Sequence, residues 1–224
     1  MIMEKAFSQT SEKISNYAID TFKPEDSILK EVKDRSAKLN IPLIQVNNMD
    51  GLHLELLIRI SKAKKIVEVG TLAGYSGICI ARGIQNDGIL HTIELEQKHA
   101  DAAKESFQKA GVSHLIKQHV GPGIEMLKSI EKEGPFDAIF IDADKVSYPK
   151  YLTWAEDNLK VGGLIIGDNT FAWGNIYKEN IEDPELNTKV IALREFNSRL
   201  ANSSKFRSTI LPTGEGLTVA IKVS

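Results

Sequence analysis

The chain has 224 residues, 42% of them hydrophobic and 26% charged, which is the make-up of a single well-packed globular domain. Its formal net charge of -2 argues against non-specific binding to nucleic acid or to an anionic membrane. The single cysteine, Cys79, excludes an intramolecular disulfide and a cysteine-based zinc cluster. We expect a cytoplasmic protein, because no stretch is apolar for long enough to be a signal peptide or a membrane span.

Three helices are predicted before the first strand, over residues 11–21, 24–39 and 50–62. Pro24 is expected to open the second helix, with Glu25 and Asp26 in its first turn. The third is predicted from apolar residues at helical spacing, which are Leu52, Leu56, Leu57 and Ile60.

A glycine-rich turn follows the first predicted strand in KIVEVGTLAGYS, residues 65–76, and leads into a helix at residues 75–83. Gly70 and Gly74 let the backbone approach a ligand, which predicts a cradle for a nucleotide-like cofactor. The central glycine of dinucleotide-binding turns is missing, and Glu68 would put a negative charge near a pyrophosphate. The cationic S-adenosylmethionine fits better. A tight turn without any ligand is the alternative.

Glu94 follows the second predicted strand, residues 89–93, about two dozen residues after the glycine turn. A carboxylate at this spacing can accept hydrogen bonds from both hydroxyls of a cofactor ribose. The nearest competitor is Glu96, which we interpret as a solvated or capping residue. Alternatively, Glu94 only caps the next helix, residues 97–110.

The rest of the chain continues the alternation of strands and helices, which predicts an α/β fold. Strands are predicted at residues 116–119, 138–141 and 163–167, and helices at residues 123–132 and 148–159. The turn PTGEG joins two further strands, at residues 206–211 and 217–223, into an antiparallel hairpin at one edge of a mostly parallel sheet. This ending is typical of class I methyltransferases.

Acids and an amide follow two of these strands, in the segments FDAIFIDADK and LIIGDNT. Asp142, Asp144 and Lys145 belong to the first segment, and Asp168 and Asn169 to the second. Parallel strands deliver these side chains to one edge of the sheet. Two carboxylates and an amide oxygen suit Mg²⁺, Mn²⁺ or Ca²⁺, whereas the scattered histidines form no zinc motif.

Three motifs in this order, VGTLAGYS, DADK and GDNT, resemble those of the metal-dependent O-methyltransferases of the caffeoyl-CoA and catechol type. The resemblance covers nearly the whole chain. It implies one methyltransferase domain over residues 1–224 with a mostly parallel seven-stranded sheet. It also implies that extra N-terminal helices, residues 1–45, cover the substrate site and that the chain forms a homodimer.

The resemblance further implies two ligands, S-adenosylmethionine and a divalent cation. The implied cation ligands are Asp142, Asp168 and Asn169. The implied cofactor-binding residues are Val46, Glu68, Gly70, Thr71, Ser76, Glu94, Gly123 and Asp144. Val46 lies in a loop, QVNNMDG, that departs from the family's usual acidic and glutamine-containing sequence.

Lys145 and Asp142 are the predicted catalytic residues. The cation would stabilise the anion of an acceptor hydroxyl, and Lys145 would receive the proton. Taken alone, Lys145 could equally be a surface lysine paired with Asp142 or Asp144.

Aromatic side chains near these motifs are candidates for the walls of a planar acceptor's site, namely Tyr148, Tyr151 and Trp173. Trp154 is expected in the core. The polar residues 174–188 resemble the family's variable insertion over the substrate site.

Three functional hypotheses remain open. The first is methylation of small catechols, including caffeoyl or flavonoid-like molecules. The second is methylation of 5-hydroxyuridine in tRNA, with Lys5, Lys13, Lys30, Lys33 and Lys38 as a basic approach surface. The third is a nicotinamide oxidoreductase or a non-catalytic binding module. The missing glycine argues against the oxidoreductase, and the complete set of acids, amide and lysine argues against the binding module.

Overall fold

The computed structural model describes residues 11–85 and 87–224. Three helices come first, α1 (Glu12–Phe22), α2 (Ser27–Lys38) and α3 (Asn48–Ser61). The alternating part consists of β1 (Lys65–Val69), α4 (Tyr75–Gly83), β2 (Ile89–Glu94), α5 (Gln97–Lys109), β3 (Ile116–Val120), α6 (Gly123–Ile130), β4 (Phe136–Ile141), α7 (Tyr148–Asn158) and β5 (Leu159–Gly167). The chain closes with α8 (Pro184–Ala201), β6 (Phe206–Leu211) and β7 (Leu217–Lys222).

Within the described residues, seven strands form one sheet in the order β3-β2-β1-β4-β5-β7-β6. Strands β1 to β5 pair in parallel, whereas β7 runs antiparallel to both β5 and β6. The predicted mostly parallel sheet with a C-terminal antiparallel hairpin is therefore confirmed. The strand order reverses between β1 and β4, and ligands of such sheets bind outside the carboxyl ends of the strands at that point.

The sheet separates two hydrophobic clusters, and the pleat of β1 decides which side chains enter each. Val67 and Val69 pack with residues of α6, α7 and α8, whereas Ile66 packs with residues of α2, α3, α4 and α5. Alternation along a strand puts Glu68 on the same face as Ile66. This position of Glu68 bears directly on the functional site.

Two N-terminal helices differ in detail from their predictions. Helix α2 begins at Ser27 and not at Pro24, because the side chain of Asp26 accepts a hydrogen bond from the N–H of Leu29 and caps the helix. In α3, Leu56 and Ile60 are exposed, while Gly51, Leu54 and Ile58 are buried. The helical spacing of apolar residues predicted the existence of α3 correctly. Because the helix carries apolar residues on several sides, the spacing does not show which side packs against the core.

Helix α8 has no counterpart among the predicted elements. Residues 174–188 resemble a variable insertion, and helix α8 begins at Pro184 within that stretch and continues to Ala201. Its start carries a recognisable signal, since Asp183 accepts from the N–H of Glu185 and proline occupies the first helical position. The buried side of α8 packs in the second cluster through Val190, Leu193 and Phe196. No helix in the described part of the chain has the length and apolar character needed to cross a membrane.

Candidate functional site

A cavity of about 1190 Å³ lies at the carboxyl edge of the sheet, between the loops that follow β1, β2, β4 and β5. Most of the predicted site residues line it. These are Val46, Gly70, Thr71, Ser76, Glu94, Gly123, Asp142, Asp144, Lys145, Tyr151, Asp168, Asn169 and Trp173. Glu68 and Tyr148 are not among the lining residues.

The glycine turn lies against the neighbouring strand β4. A Cβ on Gly70 would lie 1.9 Å from the carbonyl oxygen of Asp142, and its φ of +101° is in the left-handed region. The N–H of Asp142 donates to the carbonyl of Val69 at 2.8 Å, which holds the ends of β1 and β4 together. Only glycine tolerates both the close contact and the left-handed backbone at position 70. The turn after β1 therefore lies directly against the end of β4.

Glu94 anchors the same turn from the side of β2. Its Oε2 accepts hydrogen bonds from the N–H of Thr71 at 3.2 Å and of Leu72 at 2.7 Å. Its Oε1 accepts from the N–H of Glu96 at 3.0 Å. A carboxylate has about four acceptor positions, so these three bonds leave Glu94 one position, on Oε1, which also lies 3.4 Å from Nδ1 of His99. Glu94 does not cap α5, whose first residue follows Glu96.

Glu68 is located differently from the expectation that it faces the cofactor. Its side chain is fully buried beneath α4, where Oε2 accepts from the hydroxyl of Thr92 at 2.5 Å and lies 3.1 Å from where a Cβ of Gly77 would be. Thr92 in turn shares a short hydrogen bond with Thr71. Burial raises the pKa of Glu68 to about 7. Glu68 therefore supports the turn from below.

The remaining cofactor candidates form the far side of this region. Val46 and Ser76 are buried. Asp144 accepts hydrogen bonds from the hydroxyl of Tyr151 at 2.8 Å and from the N–H of Ser147 at 3.0 Å. A Cβ on Gly123 would lie 2.7 Å from the Tyr151 hydroxyl oxygen, so the start of α6 packs tightly here. Both Gly123 and Asp144 line the cavity on this side.

The opposite end of the cavity is dominated by charge. The Nζ of Lys145 donates to Oδ1 of Asp142 at 2.8 Å and to the hydroxyl oxygen of Tyr148 at 3.0 Å. The Tyr148 hydroxyl also lies 2.9 Å from the carbonyl oxygens of Ile141 and Asp168. Lys145 is only 7% exposed. It is therefore a buried, oriented amine and not a surface lysine.

Asp168 is the least satisfied acid of this region. It is 4% exposed, and its Oδ1 has no hydrogen-bond partner among the described residues. Burial, reinforced by the negative charge of Asp142, raises the pKa of Asp168 well above its usual range. A buried, unpaired carboxylate oxygen beside a second acid fits a divalent cation, which would compensate both charges.

Asn169 completes the predicted cation set. In residues 11–85 and 87–224, no group of three His, Cys, Asp or Glu side chains could by itself hold a metal ion. The predicted set instead contains two acids and one amide. Asn169 has a left-handed φ of +56°, and its Nδ2 donates to Oε2 of Glu215.

Sequence reasoning missed three residues of this site, namely Asp50, Thr92 and Glu215. Asp50 and Glu215 line the acidic end of the cavity. Thr92 lies opposite Glu68 in the parallel register of β1 and β2, so a correct pairing of the two strands would have found it. Glu215 lies in the PTGEG turn, and nothing local indicates that this turn folds back onto the end of β5.

The aromatic candidates separate into core and cavity residues. Tyr148 is fully buried and packs against Phe196 with ring centroids 5.2 Å apart, so it cannot form a wall of the acceptor site. Tyr151 and Trp173 line the cavity, and Trp173 is 46% exposed. Trp154 is buried and packs against Phe136, as predicted.

The described lysines proposed as an approach surface for tRNA do not line the cavity, although Nζ of Lys33 lies 5.4 Å from the ring centre of Tyr75, which does. Lys13, Lys30, Lys33 and Lys38 are not lining residues, and Lys33 is paired with Glu25. Lys5 lies outside the described residues.

Comparisons with known proteins identify the same family from independent evidence. A family model described as O-methyltransferase matches residues 17–223. A catechol O-methyltransferase from Niastella koreensis is 36% identical over 206 residues, covering 91% of each chain. A caffeoyl-CoA O-methyltransferase from Medicago sativa is 30% identical over 223 residues, covering 95% of this chain and 90% of the other.

Solved structures agree with these sequence matches. An O-methyltransferase from Bacillus cereus in complex with SAH has a TM-score of 0.87 at 34% identity, covering 94% of this chain and 97% of the other. The O-methyltransferase TomG from Streptomyces achromogenes, in complex with SAM, has a TM-score of 0.86 at 32% identity, covering 95% and 96%. The resemblance found in the sequence and the class I methyltransferase fold are thereby confirmed. This chain belongs to the O-methyltransferase family.

Proposed function

We propose that this protein transfers the methyl group of S-adenosylmethionine to one hydroxyl of a vicinal dihydroxy aromatic acceptor, such as a catechol, a caffeoyl compound or a flavonoid. A divalent cation, Mg²⁺ or alternatively Mn²⁺ or Ca²⁺, takes part. The observation that carries this proposal is the buried, unpartnered Oδ1 of Asp168, which faces the same cavity as the glycine turn anchored by Glu94.

The cofactor end supports S-adenosylmethionine over a dinucleotide. Gly70 brings the backbone close, and Oε1 of Glu94 keeps an acceptor position beside the turn that Oε2 anchors. A negative side chain at this place favours a ribose and disfavours a second phosphate. A homologous catechol O-methyltransferase and neighbouring structures with bound SAH or SAM point to the same chemistry.

Asp142, Asp168 and Asn169 would hold the cation, whose positive charge makes ionisation of an acceptor hydroxyl less costly. Asp142 and Tyr148 hold Lys145 in place, and its Nζ is the group that would take the acceptor's proton. The acceptor oxygen then forms a bond to the methyl carbon while the bond from that carbon to sulfur breaks. S-adenosylhomocysteine leaves, and Lys145 passes the proton to solvent.

The acceptor site would be completed by apolar side chains at the cavity mouth. Trp173, Ile44 and Val146 line the cavity and are each at least 46% exposed, so a planar ring could cover them. A homodimer is part of the proposal. Helix α1 has no buried residue and exposes Tyr17 and Phe22, which a second copy could cover.

The test of this proposal is the substitution Asp168→Asn, which keeps the size of the side chain and removes its charge. We expect methylation of caffeic acid to fall at least about 10³-fold, because the cation and the ionised acceptor lose their stabilisation. Binding of S-adenosylhomocysteine, measured by calorimetry, should stay within about twofold. Removal of metal with EDTA should reproduce the loss, and added Mg²⁺ should reverse it in the unmodified protein.

Asp157→Asn is the matched control, because Asp157 is an exposed acid on α7 away from the cavity. It should leave activity unchanged. Full activity of Asp168→Asn, or of the unmodified protein after exhaustive chelation, would refute the cation-dependent mechanism.

The class of acceptor needs a second measurement. Caffeic acid and tRNA containing 5-hydroxyuridine should be offered together with labelled S-adenosylmethionine, and p-coumaric acid serves as the single-hydroxyl analogue. We expect the label in caffeic acid, because acids line the acceptor end of the cavity and the described lysines of α1 and α2 do not line it. Three other lysines, Lys128, Lys150 and Lys189, do line the cavity, and preference for tRNA would have to use them. Preferential label in tRNA would overturn the small-molecule acceptor.

A further inference from the structure

Glu215 is a half-buried acid that reaches the site from the far end of the chain. It belongs to the turn between β6 and β7, residues 212–216, and it lines the cavity beside Asp168 and Asn169. The cation set named above does not include it. Its position therefore needs an explanation of its own.

The turn that carries Glu215 is tied to the loop after β5. The N–H of Phe171 donates to the carbonyl of Glu215 at 2.9 Å, and the N–H of Thr170 donates to the carbonyl of Gly216 at 3.0 Å. The hydroxyl of Thr170 makes a second bond to Gly216 at 2.9 Å. Gly216 has a φ of +77°, and a Cβ there would lie 2.6 Å from the ring of Phe171. These contacts hold the two loops together, so the backbone of Glu215 is fixed beside the loop that carries Asn169.

The hydrogen bond from Nδ2 of Asn169 to Oε2 of Glu215 has a directional consequence. An ionised carboxylate only accepts hydrogen bonds, whereas an amide has a donor end and an acceptor end of nearly the same shape. Glu215 therefore selects the amide orientation in which nitrogen faces the turn. Oδ1 is then turned away from Glu215, and only that oxygen can ligate a cation.

We propose that Glu215 is a positioning residue that orients the Asn169 amide so that Oδ1 is presented to the divalent cation. This inference rests on the proposed function, because it assumes that Asn169 is a cation ligand. Without the carboxylate, the amide could rotate and turn its NH₂ group toward the cation. Partners that orient metal ligands typically change metal affinity by about 10-fold to 100-fold when they are replaced.

The test compares the Mn²⁺ affinity of the unmodified protein with that of its variants. Binding is measured by electron paramagnetic resonance in the presence of S-adenosylhomocysteine. We expect Glu215→Gln to weaken Mn²⁺ binding about 10-fold to 100-fold, because a glutamine can face Asn169 with either end. Glu215→Asp, which still only accepts, should recover part of the affinity. Glu182→Gln, on an exposed loop, is the control and should bind Mn²⁺ like the unmodified protein.

A double-mutant cycle with Asn169→Ala distinguishes positioning from direct ligation. If Glu215 acts through Asn169, Glu215→Gln should have no further effect in the Asn169→Ala protein. Additive losses would mean that Glu215 binds the cation itself, and they would overturn the inference. So would unchanged Mn²⁺ affinity of Glu215→Gln. If the unmodified protein binds no Mn²⁺ at all, the proposed cation site fails, and this inference fails with it.

Discussion

The two ends of the cavity are built on opposite principles. At the cofactor end, Glu94 accepts hydrogen bonds from the glycine turn, and a chain of hydroxyls connects Thr71 and Thr92 to Glu68. At the acceptor end, several acids face one buried amine, Lys145, and an oxygen of Asp168 has no partner among the described residues. Oε1 of Glu68 also lacks a partner among the described residues. The two ends differ because Glu68 lies beneath the turn and does not line the cavity, whereas Asp168 lines it, where a bound cation could reach its unpaired oxygen.

Substitutions at one end of the cavity test whether the two ends act independently. After Asp168→Asn, the largest loss of turnover is expected for substitutions of Lys145. Lys145→Met should lower turnover on caffeic acid about 10²-fold to 10⁴-fold, the usual contribution of a positioned base. The loss should shrink at high pH, where the acceptor ionises without help. Steady-state rates between pH 6 and pH 10 measure both.

Lys145→Arg separates charge from proton transfer. An arginine keeps the positive charge beside Asp142 but does not lose its proton in proteins, so it cannot act as the base. We therefore expect it to be nearly as inactive as Lys145→Met. Both proteins should bind S-adenosylhomocysteine normally. An active Lys145→Arg protein would reduce the role of Lys145 to electrostatics.

A smaller effect is expected at the cofactor end, from Glu94→Gln. The substitution weakens the hydrogen bonds to the turn and to a bound ribose, and we expect the affinity for S-adenosylhomocysteine to fall about 10-fold to 100-fold. Mn²⁺ binding should not change. Calorimetry measures the first and electron paramagnetic resonance the second.

Glu96→Gln is the matched control for Glu94, because Glu96 is two residues away, lines the same cavity and is exposed. It should change cofactor affinity less than about threefold. Equal losses in the two proteins would mean that general negative charge, and not the anchored carboxylate, attracts the cofactor.

The smallest effect on catalysis is expected for Glu68→Gln, which changes stability instead. The pKa of Glu68 is raised to about 7, so the folded protein keeps a proton that the unfolded chain loses above about pH 4.5. The resulting stabilisation is complete below about pH 4.5 and disappears as the pH rises through about 7. Glutamine does not ionise. Relative to the unmodified protein, the free energy of unfolding of Glu68→Gln should therefore rise between pH 5 and pH 8, by on the order of 1 kcal/mol or more.

Urea unfolding at the two pH values measures this change. The difference between the two proteins isolates Glu68, because Asp168 titrates in both of them. A difference that is the same at pH 5 and at pH 8 would show that Glu68 is ionised throughout, and the carboxylate would then belong to the charged part of the cavity.

Most elements were predictable because their signals are local. The strands of the parallel sheet alternate with helices whose starts carry glycine, proline or capping residues, and the PTGEG turn marks the hairpin. Helix α8 had such a signal in Asp183 and Pro184, and it was missed because the polar residues before it resemble an insertion. The packed side of α3 had no clear signal, since its leucines and isoleucines lie on several sides.

The sequence by itself determined the order of the elements, the glycine turn and the residues at the ends of β1, β2, β4 and β5, because each depends on neighbours along the chain. The tertiary structure alone decided that Glu68 lies beneath α4, since the pleat of β1 and the packing of α4 choose its side. It also decided that Glu215 meets Asn169, 46 residues away in the chain. That contact arises from antiparallel pairing of β7 with β5, and no local pattern encodes a pairing between strands that are distant in sequence.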